Sequence, residues 1–200
     1  MKVAALIIGI DGWVGYTLPL VKSIQKYQPD CAIVVIDNAS KTPYPDLDIV
    51  YRTSRICYSA AINYAYSKVE ADYYIVLSND VLCTGKFDHL LKPYGVLGIE
   101  LIQAKEPKNL AWLMGWCLVF PKEIWEDIGG WDENYKISSW EDVDISTTIL
   151  KSKWDLVFNP TFPFKHLDQK QRFTLVNDYW QSEVHNMEYF FRKHFDEPKN

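Results

Sequence analysis

Val3-Ala4-Ala5-Leu6-Ile7-Ile8-Gly9 is an unbroken apolar run rich in β-branched residues. A run without polar alternation predicts a strand buried on both faces of a parallel sheet, since only helices laid on both sides keep water from both. The flanking residues agree. Asp11 and Gly12 mark a loop, and Leu18, Val21, Ile24 and Tyr27 then recur at helical spacing until Pro29. Cys31 to Ile36 predicts a second buried strand ending in Asp37-Asn38-Ala39-Ser40, and Ile49 to Tyr51 a short third. Tyr58 to Val69 predicts a helix of small residues, and Tyr73 to Leu77 a fourth strand ending in Ser78-Asn79-Asp80. Strand and helix thus alternate through the first eighty residues. This predicts an α/β fold with a mostly parallel central sheet, helices on both faces, and polar residues gathered at its carboxyl edge.

The pattern changes after Asp80. Phe87 to Leu91 predicts a short helix, Val96 to Gln103 a strand, and Ala104 to Asn109 a charged loop. Leu110 to Phe120 is an aromatic-rich apolar run interrupted by Gly115, and Pro121 suits the first position of a helix that Gly129-Gly130 stops. Asp155 to Phe158 predicts a strand, Pro160 and Pro163 shape a loop leading to His166, and Asp178 to Phe195 predicts an amphipathic aromatic helix. With no repeat, low-complexity tract or linker, residues 1–200 are expected to form one domain.

Two hundred residues, 48% of them hydrophobic, suffice for one substantial core. A net charge of −5 argues against duplex nucleic acid as a partner. The first apolar run is cut short by Gly9, Asp11 and Gly12, well below the roughly 18 residues of a membrane span, and no small-residue cleavage site follows it. Cys31, Cys57, Cys83 and Cys117 are widely spaced in apolar settings, which predicts buried thiols of a reducing compartment and a cytoplasmic location.

Trp140-Glu141-Asp142-Val143-Asp144 puts three carboxylates into five residues. Ser138 and Ser139 are expected N-caps, Glu141 stands in capping-box register with Ser138, and Val143 to Leu150 has helical spacing. The carboxylates then fall in a helix's first turn, where the macrodipole favours the ionised form. An ionised carboxylate in a cleft can take a proton from a sugar hydroxyl, although the same residues also serve simply as caps. Asp80 suits either a turn or an oxygen ligand for a hard cation bridging two phosphates. Asp37 and Asn38 either cap a turn or read a base edge, and Arg55 meets phosphate or solvent. A lone His166 is structural or a metal ligand. Trp125, Trp131 and Trp154 are expected in the core, Trp116 in the core or against an acceptor, and Trp140 against a sugar ring at the site mouth.

Taken in order, these segments resemble glycosyltransferases of the GT-A fold, above all the inverting family 2 and its rhamnosyltransferase-like branch. The resemblance rests on Ile36-Asp37-Asn38-Ala39-Ser40, Arg55 to Asn63, Leu77-Ser78-Asn79-Asp80-Val81, Gly115-Trp116-Cys117-Leu118, Ile128-Gly129-Gly130-Trp131-Asp132-Glu133, Trp140 to Asp144, and His166. It implies a Rossmann-like half over residues 1–80 that binds the nucleotide sugar and a half over residues 81–200 that shapes the acceptor site. It implies donor contacts from Ile8, Gly9, Asp37, Asn38, Arg55, Asn63, Ser78, Asn79 and Asp80, acceptor contacts from Trp116 and Trp140, and Mn2+ or Mg2+ on Asp80 and His166. Asp142 is the implied general base, with Glu141 orienting the acceptor. The implied reaction moves a hexose or deoxyhexose, such as glucose or rhamnose, from a UDP- or dTDP-sugar to a glycan or glycoprotein hydroxyl, with inversion. A retaining transferase and a non-catalytic sugar-nucleotide or glycan-binding module are the alternatives. A nucleotidyltransferase would need a Gly-rich phosphate loop that this sequence lacks. Two positions depart from the pattern: Ser78 stands where the first Asp of the DxD motif is expected, and Cys57 where a Gly is expected. The chain is short for the family, which suggests further domains in a longer parent chain. It also resembles the stand-alone transferase domains with which large DNA viruses decorate capsid proteins, which would place it in host cytoplasm.

Overall fold

Alternate side chains of the first strand, β1 (Val3–Gly9), divide between two cores, as the period of two in a strand requires. Val3, Ala5 and Ile7 pack with Leu20, Val21 and Ile24 of helix α1 (Leu18–Tyr27), while Ala4, Leu6 and Ile8 pack with Ala61, Ile62 and Ala65 of α2 (Tyr58–Tyr66). The computed structural model describes residues 1–106, 108–167 and 179–196. Strands β2 (Ala32–Asn38), β3 (Val50–Thr53) and β4 (Tyr73–Ser78) complete the expected alternation. A single π-helical turn over Trp13–Thr17 leads into α1.

The second half adds β5 (Val81–Cys83), β6 (Gly95–Gly98), β7 (Leu101–Ala104), β8 (Leu110–Leu113), β9 (Cys117–Pro121), α3 (Lys122–Ile128), α4 (Glu141–Leu150), β10 (Asp155–Phe158), β11 (Phe164–His166) and α5 (Tyr179–Phe195). The central sheet has the order β10-β6-β9-β4-β1-β2-β3, and β9 alone in it runs antiparallel to its neighbours. The strand expected over Val96 to Gln103 is instead two: β6 stays in the central sheet, and β7 leaves to pair with β8. Gly98 marks the parting. A Cβ there would lie 2.9 Å from that of Leu113, so the hairpin crosses close over the strand end. The helix expected over Phe87 to Leu91 is a 3-10 turn at Asp88–Leu90, and Asp178, its expected start for the last helix, lies outside the described residues. No helix among the described residues is long and apolar enough to cross a membrane. Three cysteines are buried free thiols as expected, but Cys57 is only half-buried because its sulfur caps α2, accepting from the Ala60 amide at 3.4 Å.

Candidate active site

The chain runs outward from β1 to β2 and β3, then returns to the other side of β1 as β4, so strand order reverses at β1. Open α/β sheets bind ligands in the crevice at such a point, beyond the carboxyl ends of the strands. A cleft of about 220 Å³ opens there, floored by Ile8 and Gly9 at the end of β1 and by Ser78, Asn79 and Asp80 at and beyond the end of β4. Gly9 is required by crowding: a Cβ there would lie 2.5 Å from the Tyr44 hydroxyl and 3.1 Å from the Asn79 amide nitrogen. Tyr44 donates to the Asp11 carbonyl at 2.6 Å and Asn79 Nδ2 to the same oxygen at 3.2 Å, which ties down the left-handed turn at Asp11 (φ 56°) and Gly12 (φ 73°).

Asp80 and His166, 86 residues apart, meet with Oδ1 and Nε2 at 3.2 Å. Strand pairing brings them together: β11 lies antiparallel on β5 with His166 opposite Val81, and the Leu167 amide donates to the Asp80 carbonyl at 2.8 Å. The imidazole stacks on the Trp116 indole at 5.0 Å and 7°, and the indole is itself held by its Nε1 donating to Glu100 Oε2 at 2.9 Å. Trp116 is therefore both core and cleft wall. Among the described residues no three His, Cys, Asp or Glu side chains lie close enough to hold a metal between them. One carboxylate and one imidazole fit a divalent ion that takes its remaining ligands from phosphate oxygens and water.

Glu141 and Asp142, at the start of α4, line the same cleft. The expected Ser138 and Ser139 caps are not realised: the N-cap is Trp140, in a left-handed conformation (φ 71°) with no side-chain cap bond. The Ser138 hydroxyl instead donates to Glu141 Oε1 at 3.1 Å. Ile137 (φ 50°) and Ser139 (φ 98°) are also left-handed, so three of the four residues entering the helix hold conformations that cost about 1–3 kcal/mol each. Asp142 Oδ2 accepts from the Gly115 amide at 3.1 Å and Oδ1 from the Val143 amide at 2.9 Å. Gly115 permits this approach, since a Cβ there would lie 3.0 Å from that of Asp142.

The expectation that the macrodipole keeps both carboxyls ionised fails for Glu141. Burial, with the charge of Asp142 beside it, pushes its carboxyl up to about 8, and Oε2 is buried with no hydrogen-bond partner among the described residues. Burial likewise pushes the Tyr58 phenol well above its usual range, and the nearby Glu141, Asp80 and Asp142 carboxylates add to the effect. The cleft thus juxtaposes a protonated carboxyl, a second carboxyl, and a neutral phenol, an arrangement in which neighbouring groups are set to different protonation states.

The remaining expected contacts divide. Arg55 lines the cleft, is exposed, and makes no ion pair among the described residues. Asn38 also lines it, but its Oδ1 accepts from the Ile56 amide and Thr53 hydroxyl while its Nδ2 donates to the Ile56 carbonyl, so the side chain mainly shapes the 53–56 loop. Asp37 is buried below the rim. Its carboxylate accepts from the Ser40 and Tyr44 amides at 3.0 and 2.9 Å and lies 3.6 Å from Arg52 Nε, the turn-forming alternative for this residue. Asn63 does not line the cleft; its amide bonds both ways with the Trp131 backbone and donates to Glu133 Oε1 at 2.8 Å, pinning the loop after α3. Trp140 faces away too, packed on Phe190 and Phe191 of α5 at 5.3 and 5.7 Å. Sequence reading missed Tyr58, Met114, Ile137 and Ser138 as cleft residues. Gly115 was legible as a lone glycine in an apolar run, a sign of close backbone approach, but its partner was not.

This topology, a mostly parallel seven-stranded sheet with its crevice at the reversal point, is that of the GT-A glycosyltransferase fold. The chain is similar over 95% of its length to GalNAc-T7 in complex with UDP, GalNAc and Mn2+, with a TM-score of 0.74 and 15% identity, covering 49% of that protein. It is similar over 99% to the mannosyltransferase PcManGT from Pyrobaculum calidifontis in complex with GDP-Man and Mn2+ (TM-score 0.69, 14% identity, 65% of that chain), and over 98% to S. aureus TarS 1-349 in complex with UDP (TM-score 0.61, 13% identity, 67% of that chain). The chain therefore spans about half to two thirds of the length of these proteins. No protein-family sequence model matches it, and no curated protein matches it in sequence. At this identity the likeness is one of fold, and function has to be argued from the site.

Proposed function

We propose that this chain is a divalent-metal-dependent glycosyltransferase that moves a hexose or deoxyhexose from a nucleoside diphosphate donor, a UDP-sugar, to a hydroxyl of a glycan or glycoprotein. The observation that carries this reading is the lining of one cleft by two pairs, Asp80 with His166 and Glu141 with Asp142, together with Arg55, which is exposed and makes no ion pair among the described residues. The structural neighbours' complexes with UDP or GDP-Man, two of them with Mn2+, support the choice of donor class and metal. The first eighty residues would hold the nucleotide and the remainder the acceptor. The four free thiols support a cytoplasmic setting.

Asp80 and His166 would hold the cation, which neutralises charge on the departing diphosphate when bound. Arg55, which lines the cleft, would pair with phosphate oxygens as a fork. Asp142 takes the proton of the acceptor hydroxyl; the acceptor oxygen bonds to the anomeric carbon as the bond from that carbon to the phosphate oxygen breaks, and the nucleoside diphosphate leaves with the bonding pair. Glu141, protonated, donates a hydrogen bond and orients the acceptor. Inversion follows from a single displacement with one base.

Isothermal titration with UDP and UDP-glucose, with and without Mn2+, followed by assay of UDP release, tests the reading. Metal-dependent binding that Asp80→Ala abolishes is expected. Asp142→Asn should retain donor binding and lose turnover by a factor of at least about 100; near-normal turnover would remove Asp142 as base and favour a retaining route. A second reading, a sugar-nucleotide-binding module without turnover, is favoured by Ser78 at the first DxD position, which leaves Asp80 and His166 as the only two protein ligands proposed. Metal-dependent binding without UDP release in any acceptor mixture would select it.

A further inference from the structure

The segment that delivers Glu141 and Asp142 to the cleft does not hold its own shape. Residues 137, 139 and 140 are all left-handed without being glycine, and Ile137 is β-branched, the kind of residue least suited to positive φ. Such a conformation persists only where surrounding structure imposes it. One side chain supplies most of that imposition. Asn186 on α5, completely buried, accepts from the Lys136 amide through Oδ1 at 2.8 Å and donates through Nδ2 to the carbonyls of Lys136 at 2.8 Å, Ser139 at 2.9 Å and Ser138 at 3.5 Å. The Ile137 carbonyl is taken by the Tyr58 amide at 2.7 Å.

Helix α5 is in turn fastened to α4. Buried Asp144 receives His194 Nε2 at 2.6 Å and Lys193 Nζ at 2.9 Å, and Lys193 also reaches Asp132 at 2.7 Å. The last helix is thus rigidly joined to the helix whose first turn carries the acid pair, and it grips the three residues before that turn.

We infer that Asn186, which does not line the cleft, is a positioning residue for Glu141 and Asp142, and that α5 acts as the clamp setting the acceptor side of the site; this rests on reading the cleft as a transferase site. Loss of the clamp lets Ile137 and Ser139 relax to negative φ, which turns the first turn of α4 away from the Asp80 and His166 pair. The donor side, built on β1 and β4, is untouched.

The test is Asn186→Ala in the full chain, read by kcat, by UDP affinity in Mn2+, and by amide hydrogen exchange. Expected are a kcat lowered at least tenfold, UDP affinity within about twofold of wild type, and faster exchange confined to residues 137–142. Adding Ser139→Gly, which accepts φ 98° without support, should recover severalfold of the lost kcat. Parallel losses of kcat and UDP affinity, or exchange rising across β1 and β4, would show a general structural role and overturn the inference, as would unchanged kcat. If Asn186→Ala does not fold, Asn186→Asp, which keeps the bond to the Lys136 amide and loses the carbonyl contacts, carries the same expectation, and its failure to fold as well would overturn the positioning role. If wild type turns over no donor, the transferase reading fails, while the exchange pattern still decides whether Asn186 holds this segment.

Discussion

Replacing Glu141 with Gln removes an ionisable group while keeping its shape. Glu141 is buried beside Asp142, with one carboxyl oxygen accepting from Ser138 and the other without a partner among the described residues. Below about pH 4.5 the carboxyl is protonated whether the chain is folded or not, so it adds nothing to the pH dependence. Between the ordinary value of 4.5 and the folded value of about 8, the unfolded chain releases a proton that the fold retains, and stability falls as pH rises. The slope from this one group is at most about 1.4 kcal/mol per pH unit, and the whole window has a ceiling of roughly 5 kcal/mol. Water entry and relaxation around α4 reduce it. Gln cannot ionise, so Glu141→Gln should lose this part of the slope and become the more stable protein as pH approaches 8, by about 2–4 kcal/mol. Urea unfolding followed by tryptophan fluorescence across pH 4.5 to 8.5 measures it, with the difference between the two proteins cancelling the histidines that titrate in the same window. The m-value should be the same for both, which keeps the comparison one of stability. Parallel stability curves over the whole range would refute the claim that Glu141 is held protonated.

Two other substitutions separate neighbouring roles. Gly115→Ala should push Asp142 by a few tenths of an ångström from a Cβ contact of 3.0 Å, lowering kcat about tenfold or more while thermal melting moves by only a few degrees; an unchanged kcat would show that Asp142 does not depend on this seat. Asn63→Ala should cost about 1–3 kcal/mol in urea unfolding, through the lost bonds to Trp131 and Glu133, with UDP affinity unchanged. A drop in UDP affinity at full stability would return Asn63 to the donor site.

Much of this protein is legible in the chain because the signals are local. The unbroken run at Val3–Gly9 announces burial on both faces, and the sorting of its odd and even residues onto two cores is the realised form of that pattern. The polar residues closing β1, β2 and β4 had to fall at the carboxyl edge, since strands in a parallel sheet all end on the same side. Gly129 ends α3 in the left-handed conformation that a glycine pair after a helix predicts. Residue type, however, does not say which way a polar side chain is spent. Asp37 and Asn63 read as ligand contacts in the sequence, and in the fold their oxygens accept from loop amides nearby.

What tertiary structure alone decided is everything that depends on distant pairings and on burial. The meeting of Asp80 with His166 requires β11 to lie on β5, and no periodicity in either segment records the partner. The seating of Asp142 against Gly115 depends on where the β7 and β8 hairpin leaves the sheet. Glu141 reads as a charged helix-capping acid in the sequence and becomes a neutral one in the fold, because the cost of desolvating its charge beside Asp142 exceeds what the helix terminus returns. The left-handed entry to α4, with no glycine in it, is bonded by Asn186, which arrives from a helix about fifty residues further along the chain. Local pattern specifies elements, whereas protonation and position are set by neighbours that the chain brings together only on folding.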